Sequence, residues 1–366
     1  MMPRRAFVPA WWIPGPHAQT LWGKLFRRVP RLALRHERWD TPDGDFVSLH
    51  RLEVPGATTR LVLLHGLEGG PQSHYVPGVL DEARRRGWHA DLLVFRSCGR
   101  EPNRARRFYH SGETGDLAFV VDRLVAEHPG ETLLLGGVSL GGNVLLKFLG
   151  ERGDAVPGAV RAAVAVSVPF DLGRGSRHIS RGFSRVYERH FLRTLRRKAL
   201  AKLAHYPDLY DPRRLATART LLDFDDVVTA PVHGFASADD YYDRSSALRF
   251  LAGIRRPTLL LSAEDDPFLP AAVLDEVRHV AADTPSLDVE FTRRGGHVGF
   301  IGGRVPWRPL YYAEWRMVDF LATCLEGAAA PSTAGGAATA RGAAPGDARY
   351  PAPAAAARDR TPSRAR

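Results

Sequence analysis

The sequence contains few cysteines and no long hydrophobic run. Cys98 and Cys324 are the only cysteines among 366 residues, too few for a disulfide framework or a cysteine-rich zinc site. A reducing compartment is favoured, and the cytoplasm is the predicted location. No run reaches the roughly 20 apolar residues of a membrane-spanning helix. The apolar N-terminal segment is broken by Pro9, Pro14 and Pro16 and lacks a secretory signal pattern. We therefore expect a protein that is soluble or only peripherally bound to a membrane.

Motifs for nucleotides and metals are also missing. The sequence has no Walker loop, GxGxxG fingerprint or HExxH motif, so no metal and no organic cofactor is predicted. The net charge of +11 raises the question of nucleic acid, but its excess is local. Residues 174–214 hold twelve basic against three acidic residues, and residues 327–366 hold six against two. Because no nucleic-acid reader motif accompanies them, no nucleic-acid partner is predicted.

Hydrophobic runs alternate with helical patterns between about residues 45 and 325. A hydrophobic content of 44% is enough for one large α/β domain. The alternation predicts a mainly parallel sheet with helices on both faces. The predicted strands are DFVSLHRLEV, RLVLLHG, HADLLVF, ETLLLGG, VRAAVAVSV, PTLLLSAE and SLDVEFTR. The predicted helices lie near residues 76–87, 115–128, 142–151, 271–282 and 309–325.

Two segments depart from this alternation. From Asp171 to about Leu248 the sequence is Arg-rich and aromatic without a convincing buried strand. It predicts a helical cap at about 172–248, inserted into a single domain that spans 1–326. Residues 327–366 consist mainly of Ala, Gly, Pro and Arg, with almost nothing to bury. They are predicted to be a disordered tail.

The segment ETLLLGGVSLGGNVLLKFLG combines a strand, a sharp turn and a helix around Ser139. A bare GxSxG pattern is weak evidence, but this setting places the serine on a strained elbow that exposes its hydroxyl. Gly137 and Gly141 would allow the close approach that the turn requires. The sequence therefore predicts Ser139 as a nucleophile.

An oxyanion formed at Ser139 needs hydrogen-bond donors, and the segment RLVLLHGLEGG ends an earlier strand in a suitable turn. The backbone N–H groups of Leu67 and Leu140 are the predicted donors. His65 invites a catalytic interpretation, but we expect it to hold the turn through hydrogen bonds.

The base and its carboxylate should follow the serine, because hydrolases with such an elbow have the order nucleophile, acid, histidine. His297 follows the last strand on a Gly-Gly loop, whereas His279 lies within a predicted helix. Glu264, Asp265 and Asp266 all end the strand PTLLLSAE and compete for the acid. Asp266, just before the turn proline, is preferred, with Asp265 second. The two rejected carboxylates are expected to cap the next helix.

Four motifs in this order, HGLEGG, GVSLGG, EDDPF and GGHVGF, resemble the YheT-like branch of the α/β-hydrolase family. FVPAWWIPGPHAQTLW, FRSCGREPNRARRFYHSGETGDL and DDVVTAPVHGFASADDYYDRSS match as well, so the resemblance covers about residues 7 to 325. It implies an α/β-hydrolase fold and a Ser139, Asp266 and His297 triad. It also implies a carboxylesterase or lipase that acts on short- to medium-chain acyl esters, with monoacylglycerol or other lipid esters among the candidates.

Two alternative functions stay open at this stage. The same triad could pass the acyl group to an alcohol, or the chain could be a catalytically silent protein that binds a lipid or a partner. The resemblance also implies eukaryotic relatives that are lipases with an N-terminal membrane helix; no such helix is predicted for this chain. The sequence does not indicate an oligomeric state.

Seven arginines recur every three or four residues in the predicted cap: Arg174, Arg177, Arg181, Arg185, Arg189, Arg193 and Arg196. On one helix this spacing makes a single stripe. Ile179, Phe183, Val186, Phe191 and Leu195 are expected to face largely away from it. The stripe is either a solvated face or a weak, peripheral contact with an anionic membrane.

Overall fold

The computed structural model describes residues 6–329. The predicted disorder of the tail concerns residues 327–366, of which 330–366 lie outside the described residues. The last helix extends to Ala329, so residues 327–329 continue a helix, contrary to the predicted boundary.

A sheet of eight strands forms the centre of the fold, in the order β1-β2-β4-β3-β5-β6-β7-β8. The strands β3 to β8 are parallel, and β1 and β2 form an antiparallel extension at one edge. Their bounds are β1 Arg35–Asp40, β2 Phe46–Leu52, β3 Thr59–Leu64, β4 His89–Val94, β5 Thr132–Val138, β6 Val160–Val166, β7 Thr258–Ala263 and β8 Leu287–Thr292. A separate pair is formed by β9 Ile301–Gly302 and β10 Leu310–Tyr311.

The central strands are buried on both faces, which explains why they are continuous apolar runs rather than alternating patterns. Helices α3, α4 and α11 pack on one face, and α2 and α12 pack on the other. The helix bounds outside the cap are α1 Gly15–Phe26, α2 Val76–Arg85, α3 Gly115–Glu127, α4 Leu140–Arg152, α11 Ala271–Ala282 and α12 Tyr312–Ala329. The predicted mainly parallel α/β sheet, its seven strands and five helices are therefore confirmed; β1 and α1 were not predicted.

Residues 167–257, between β6 and β7, contain helices and no strand. We call Leu172–Leu248 the cap segment. Its α-helices are α5 Leu172–Ile179, α6 Arg185–Leu203, α7 Pro212–Thr217, α8 Leu221–Phe224, α9 Ala230–His233 and α10 Ala238–Ser245, and a π-helix covers Asp225–Thr229. Within residues 6–329, no helix combines the length and apolar character needed to cross a bilayer.

The predicted arginine stripe is not one helix. The chain leaves α5 at Ser180 and turns at Gly182, whose φ of 51° is left-handed, before α6 begins. Arg174 pairs with Asp171 and Glu276, Arg177 pairs with Asp239, and Arg196 donates to backbone carbonyl groups. Phe183 and Val186 are exposed rather than turned inward. The continuous stripe with an opposite apolar face was therefore wrong.

Candidate active site

Ser139 stands on a strained turn between β5 and α4, with φ 54° and ψ −121°. A Cβ atom at Gly137 would lie 2.6 Å from the carbonyl oxygen of Gly141. A Cβ atom at Gly141 would lie 2.6 Å from the carbonyl oxygens of Leu64 and His65. Both contacts are with backbone, so a larger residue at either position would displace the turn, as the sequence predicted.

The side chains of Ser139, His297 and Asp266 form a hydrogen-bonded chain. The distance from His297 Nε2 to Ser139 Oγ is 2.9 Å, and the distance from His297 Nδ1 to Asp266 Oδ2 is 2.8 Å. With the Asp266 carboxylate as acceptor of this hydrogen bond, the hydrogen is assigned to Nδ1, which leaves Nε2 free to accept the serine proton. The ring of His297 also stacks on Phe268, with centroids 4.0 Å apart. This arrangement can perform general-base activation of a hydroxyl.

The three carboxylates at the end of β7 have different partners. Asp266 contacts His297 and also accepts a 2.8 Å hydrogen bond from the backbone N–H of Phe268. Asp265 accepts from the backbone N–H of Gly296 at 2.9 Å, and Glu264 pairs with Arg278. Neither Asp265 nor Glu264 caps α11, whose N-cap residue is Pro270. The expectation that they cap the next helix was therefore wrong; Asp265 instead fixes the histidine loop.

The loop that carries His297 is held from two directions that sequence reasoning missed. The Thr20 hydroxyl on α1 accepts a 2.9 Å hydrogen bond from the backbone N–H of His297. The Ser167 hydroxyl, just after β6, accepts a 3.0 Å bond from the N–H of Val298. A Cβ atom at Gly296 would lie 2.5 Å from the carbonyl oxygen of Pro16, so α1 packs directly on the loop. The histidine is therefore positioned by residues far apart in sequence.

The buried side chain of Gln19 on α1 adds a second clamp. Its Nε2 donates to the carbonyl oxygen of Ile301 at 3.0 Å, and its Oε1 accepts from the N–H of Ile301 at 2.7 Å. This pairing uses both ends of the amide on one backbone residue and joins α1 to the strand after the histidine loop. The segment HAQTLW contains both Gln19 and Thr20, but only a pattern of polar residues on an N-terminal helix could have indicated this role.

The residues that carry the predicted oxyanion donors lie close to Ser139. Leu67 follows β3, Leu140 begins α4, and both line the same cavity as the serine. Across residues 6–329, no protein atom accepts a hydrogen bond from either backbone N–H. Both donors are therefore available to a ligand, as an oxyanion hole requires.

The turn that carries Leu67 has a strained backbone, which hydrogen bonds from neighbouring side chains hold in place. Glu68 has a φ of 56°, its N–H donates to Tyr109 Oη at 3.0 Å, and its carboxylate accepts from Tyr109 Oη at 2.9 Å. Lys198, on α6 of the cap segment, donates to the same carboxylate at 2.7 Å. Neither Tyr109 nor Lys198 was a candidate from sequence.

The predicted structural role of His65 is confirmed. Its Nδ1 donates to the carbonyl oxygen of Gly66 at 2.7 Å, and its Nε2 accepts from the N–H of Phe95 at 3.1 Å. Burial lowers the pKa of His65 to about 4. A fully buried, neutral ring with both nitrogen atoms occupied holds the turn and takes no part in proton transfer.

A cavity extends from Ser139 beneath the cap segment. It contains about 1160 Å³ of space between protein atoms, including the part that is open to solvent. Phe108, Leu172, Ile179, Phe191 and Leu195 contribute to a predominantly apolar lining. Such a lining next to a polar reaction centre suits an ester with a hydrocarbon portion.

Asp225 brings a carboxylate into the same cavity from the π-helix of the cap segment. It accepts hydrogen bonds from Thr229 Oγ1 at 2.5 Å and from Tyr242 Oη at 2.7 Å. Burial raises the pKa of Asp225 to about 6, although the two hydrogen bonds act in the opposite direction. A carboxylate held only by hydroxyl groups differs from the arginine-paired carboxylates elsewhere in the fold.

The chain is similar to known hydrolases. Residues 59–303 match the model of a family described as the alpha/beta hydrolase fold. A candidate esterase of Escherichia coli (strain K12), YheT, is 41% identical over 325 residues, which cover 87% of this chain and 94% of that protein. The monoacylglycerol lipase of Saccharomyces cerevisiae (strain ATCC 204508 / S288c) is 30% identical over 274 residues, or 72% of this chain and 59% of that protein.

Similarity extends to a mammalian protein and to solved structures. The phospholipase ABHD3 of Mus musculus is 28% identical over 314 residues, covering 83% of this chain and 75% of that protein. The structure of the Pyrococcus furiosus esterase Pf2001 superposes with a TM-score of 0.54 at 17% identity, covering 82% of this chain and 96% of that one, and supports the fold. The chain therefore belongs to the α/β-hydrolase family, in its YheT-like branch, and is a carboxylic ester hydrolase.

Proposed function

We propose that the protein hydrolyses short- to medium-chain acyl esters with Ser139 as nucleophile, His297 as base and Asp266 as the carboxylate that orients the base. The hydrogen-bonded chain of these three side chains, within an apolar cavity, carries the proposal. No other serine in residues 6–329 has a hydrogen bond to a histidine that is also paired with a carboxylate.

In the proposed reaction His297 Nε2 removes the Ser139 proton while Oγ attacks the ester carbonyl. The backbone N–H groups of Leu67 and Leu140 stabilise the oxyanion, each by about 3 to 4 kcal/mol. His297 then returns the proton to the leaving alcohol, which departs and leaves an acyl-enzyme. A water molecule, deprotonated by His297, attacks the acyl-enzyme and releases the acid.

Lipid esters fall within the proposed substrate class. The cavity lining is mostly apolar, and two relatives are named monoacylglycerol lipase and phospholipase. We propose that the acyl chain occupies the space beneath the cap segment, with the ester carbonyl at Ser139. We further propose a cytoplasmic location in which any contact with a membrane is peripheral; this proposal does not depend on the triad.

The test compares two serines in similar backbone settings. Ser139 and Ser167 both follow parallel strands, have φ near 50° and line the cavity. Ser139→Ala should abolish labelling by a fluorophosphonate and lower kcat on p-nitrophenyl butyrate by at least about 10⁴-fold. Ser167→Ala should retain labelling, because the Ser167 hydroxyl accepts from Val298 rather than contacting His297 Nε2. Labelling that persists in Ser139→Ala would place the nucleophile elsewhere.

Product analysis distinguishes the alternatives. With an added alcohol, hydrolysis predicts free acid as the main product, whereas a dominant new ester would favour acyl transfer. Binding of a lipid ester without turnover and without labelling would favour a silent binding protein.

A further inference from the structure

Side chains of helix α1 contact side chains at the start of α6 and in the turn before it. His17 Nδ1 and Tyr187 Oη are 3.2 Å apart, and the ring of His17 lies 4.6 Å from the ring of Phe183. Further along both helices, Lys24 Nζ and His190 Nε2 are 3.1 Å apart. The exposed residues of these two segments therefore belong to one continuous surface, although more than 150 residues separate them in sequence.

This surface exposes an unusual number of large apolar side chains. Leu25 and Phe26 are 63% and 62% exposed, and Val29 is 46% exposed. On the neighbouring segment, Phe183 and Val186 are each 52% exposed. Single exposed apolar side chains are common, but a group of this kind usually marks an interaction site.

The exposed charged side chains of the same surface are all basic. Residues 15–34 contain no Asp or Glu, and residues 180–207 contain only Glu188. Glu188 is buried and accepts hydrogen bonds from Ser180 and from the backbone N–H of Leu221. The exposed basic side chains are Lys24, Arg28, Arg31, Arg181, Arg185, Arg189 and Arg193. In the described residues 6–329, no carboxylate forms an ion pair with any of the seven.

We propose that this surface, formed by residues 24–31 and the exposed face of residues 181–193 and here called the α1–α6 surface, binds a bilayer that contains anionic phospholipids. Basic side chains contribute about 1 kcal/mol each near such a bilayer, and apolar side chains insert at the level of the headgroups. A nucleic acid or an acidic protein would satisfy the charges but would leave Leu25, Phe26 and Phe183 exposed to water. The mixture of residues therefore favours a lipid surface.

The position of α6 connects this surface to the cavity. Phe191 and Leu195 line the cavity, whereas Arg185 and Arg189 are exposed on α6. A bilayer bound at the α1–α6 surface would therefore contact the helix that forms one wall of the cavity. Membrane binding does not require the proposed triad, so the two proposals can fail separately.

The experiment uses the full chain and vesicles of defined composition. Sedimentation should show binding to phosphatidylcholine vesicles that contain phosphatidylglycerol, weakening as salt rises, and little binding to phosphatidylcholine alone. Absence of binding to the anionic vesicles at low salt would overturn the proposal.

Charge variants test the location. Arg181, Arg185 and Arg189 changed together to Gln should weaken binding by at least about tenfold, given the contribution per basic residue. The matched control changes Arg38, Arg123 and Arg255 to Gln, which alters the net charge equally on β1, α3 and the loop before β7. Equal weakening in both variants would show that only net charge matters and would overturn the assigned surface.

Apolar variants distinguish a membrane from other polyanions. Phe26→Ser combined with Phe183→Ser should also weaken vesicle binding by about tenfold, since two large side chains no longer enter the interface. If this variant binds vesicles as the native protein does, or if native protein binds a DNA duplex as tightly as anionic vesicles, the surface is a general polyanion site and the proposal is wrong. Hydrolysis of soluble p-nitrophenyl acetate should be unchanged in every variant, which shows that the fold is intact.

Discussion

The parallel strands begin along one side of the sheet, here called the first edge, and end along the opposite side, here called the second edge. The two edges differ in buried charge and in backbone conformation. At the edge where the strands begin, charged side chains are buried and paired with one another. Asp91 is fully buried and contacts Arg51 and Arg60, and Arg60 also contacts Glu53 and Glu131. None of these residues has a positive φ. At this edge the buried charges are therefore compensated by ion pairs, and the backbone of the paired residues is unstrained.

At the edge where the strands end, the backbone is strained instead. Six non-glycine residues within 6–329 have a positive φ, and all of them follow strands at this edge: Glu68 after β3, Ser97 after β4, Ser139 after β5, Ser167 after β6, and Val298 and Phe300 after β8. Such conformations typically cost about 1 to 3 kcal/mol each and persist where the surrounding structure enforces them.

The two edges therefore contribute differently to stability and to the active site. The ion pairs at the first edge compensate buried charges with one another. At the second edge the strained turns carry Ser139 and lie next to Leu67, Leu140 and His297, and these four residues line one cavity. Substitutions at the two edges should therefore affect different measurements, stability at one and turnover at the other.

The largest effect is expected from the carboxylate that contacts His297. Asp266→Asn should lower kcat by about 10⁴-fold, because an amide at this position favours the wrong tautomer of the imidazole. Asp265→Asn is the matched control, since an Asn side-chain oxygen can still accept the hydrogen bond from the N–H of Gly296. Steady-state kinetics on p-nitrophenyl butyrate measures both. A larger loss in Asp265→Asn would reverse the assignment of the acid.

At the first edge, where the strands begin, a substitution should change the free energy of unfolding rather than turnover. Asp91→Asn leaves Arg51 and Arg60 buried without their shared carboxylate, which should reduce the free energy of unfolding by about 3 to 5 kcal/mol. The kcat value of the folded fraction should remain near native. Asp122→Asn, which removes a partly exposed pair with Arg152, should cost less than about 1 kcal/mol. Urea titration measures the difference; a loss of kcat without loss of stability would contradict the division between the edges.

Much of the fold could be predicted because buried parallel strands are short apolar runs between helical patterns. The candidate site could also be predicted, because the glycines around Ser139 and the order of serine, carboxylate and histidine are visible in the sequence itself. The choice between Asp265 and Asp266 was harder, because adjacent carboxylates differ only in the direction of their side chains. That direction depends on how the turn after β7 folds.

The contribution of α1 could not be predicted in the same way. Pro14 and Pro16 were interpreted as interruptions of an apolar segment, yet they stand at the start of α1, where proline is well tolerated. β1, with the sequence RHERWD, is an edge strand and has no apolar run to reveal it. The clamps made by Gln19 and Thr20 join residues more than 270 positions apart, a distance over which local patterns carry no information.

Asp225 extends the comparison, because it is a half-buried carboxylate that lines the cavity and, within residues 6–329, forms an ion pair with no arginine. Its pKa in the folded protein, about 6, lies above the ordinary value of 3.8, so the folded state holds the proton more tightly. Its contribution to stability is therefore present below about pH 4 and is lost as pH rises to about 6. Asp225→Asn should remove this dependence.

The measurement is the difference in unfolding free energy between Asp225→Asn and the native protein. It should increase in favour of the variant by about 2 to 3 kcal/mol between pH 4 and pH 7, following the size of the shift in pKa. Asp239→Asn, at an exposed carboxylate paired with Arg177, serves as the control. A difference that is constant with pH would show that Asp225 has an ordinary affinity for protons.

The smallest effect is expected at the contact between the cap segment and the strained edge. Lys198 pairs with Glu68, whose backbone adjoins the Leu67 N–H group. If this pair positions the oxyanion donor, Lys198→Met should lower kcat by about tenfold with little change in KM, because the donor acts mainly in the transition state. Lys198→Arg should restore part of the loss, and Arg197→Met, an exposed neighbour on α6, should have no effect. Inhibition by a trifluoromethyl ketone should weaken in parallel with kcat/KM. A rise in KM with kcat unchanged would instead mean that Lys198 only shapes the cavity that holds the substrate.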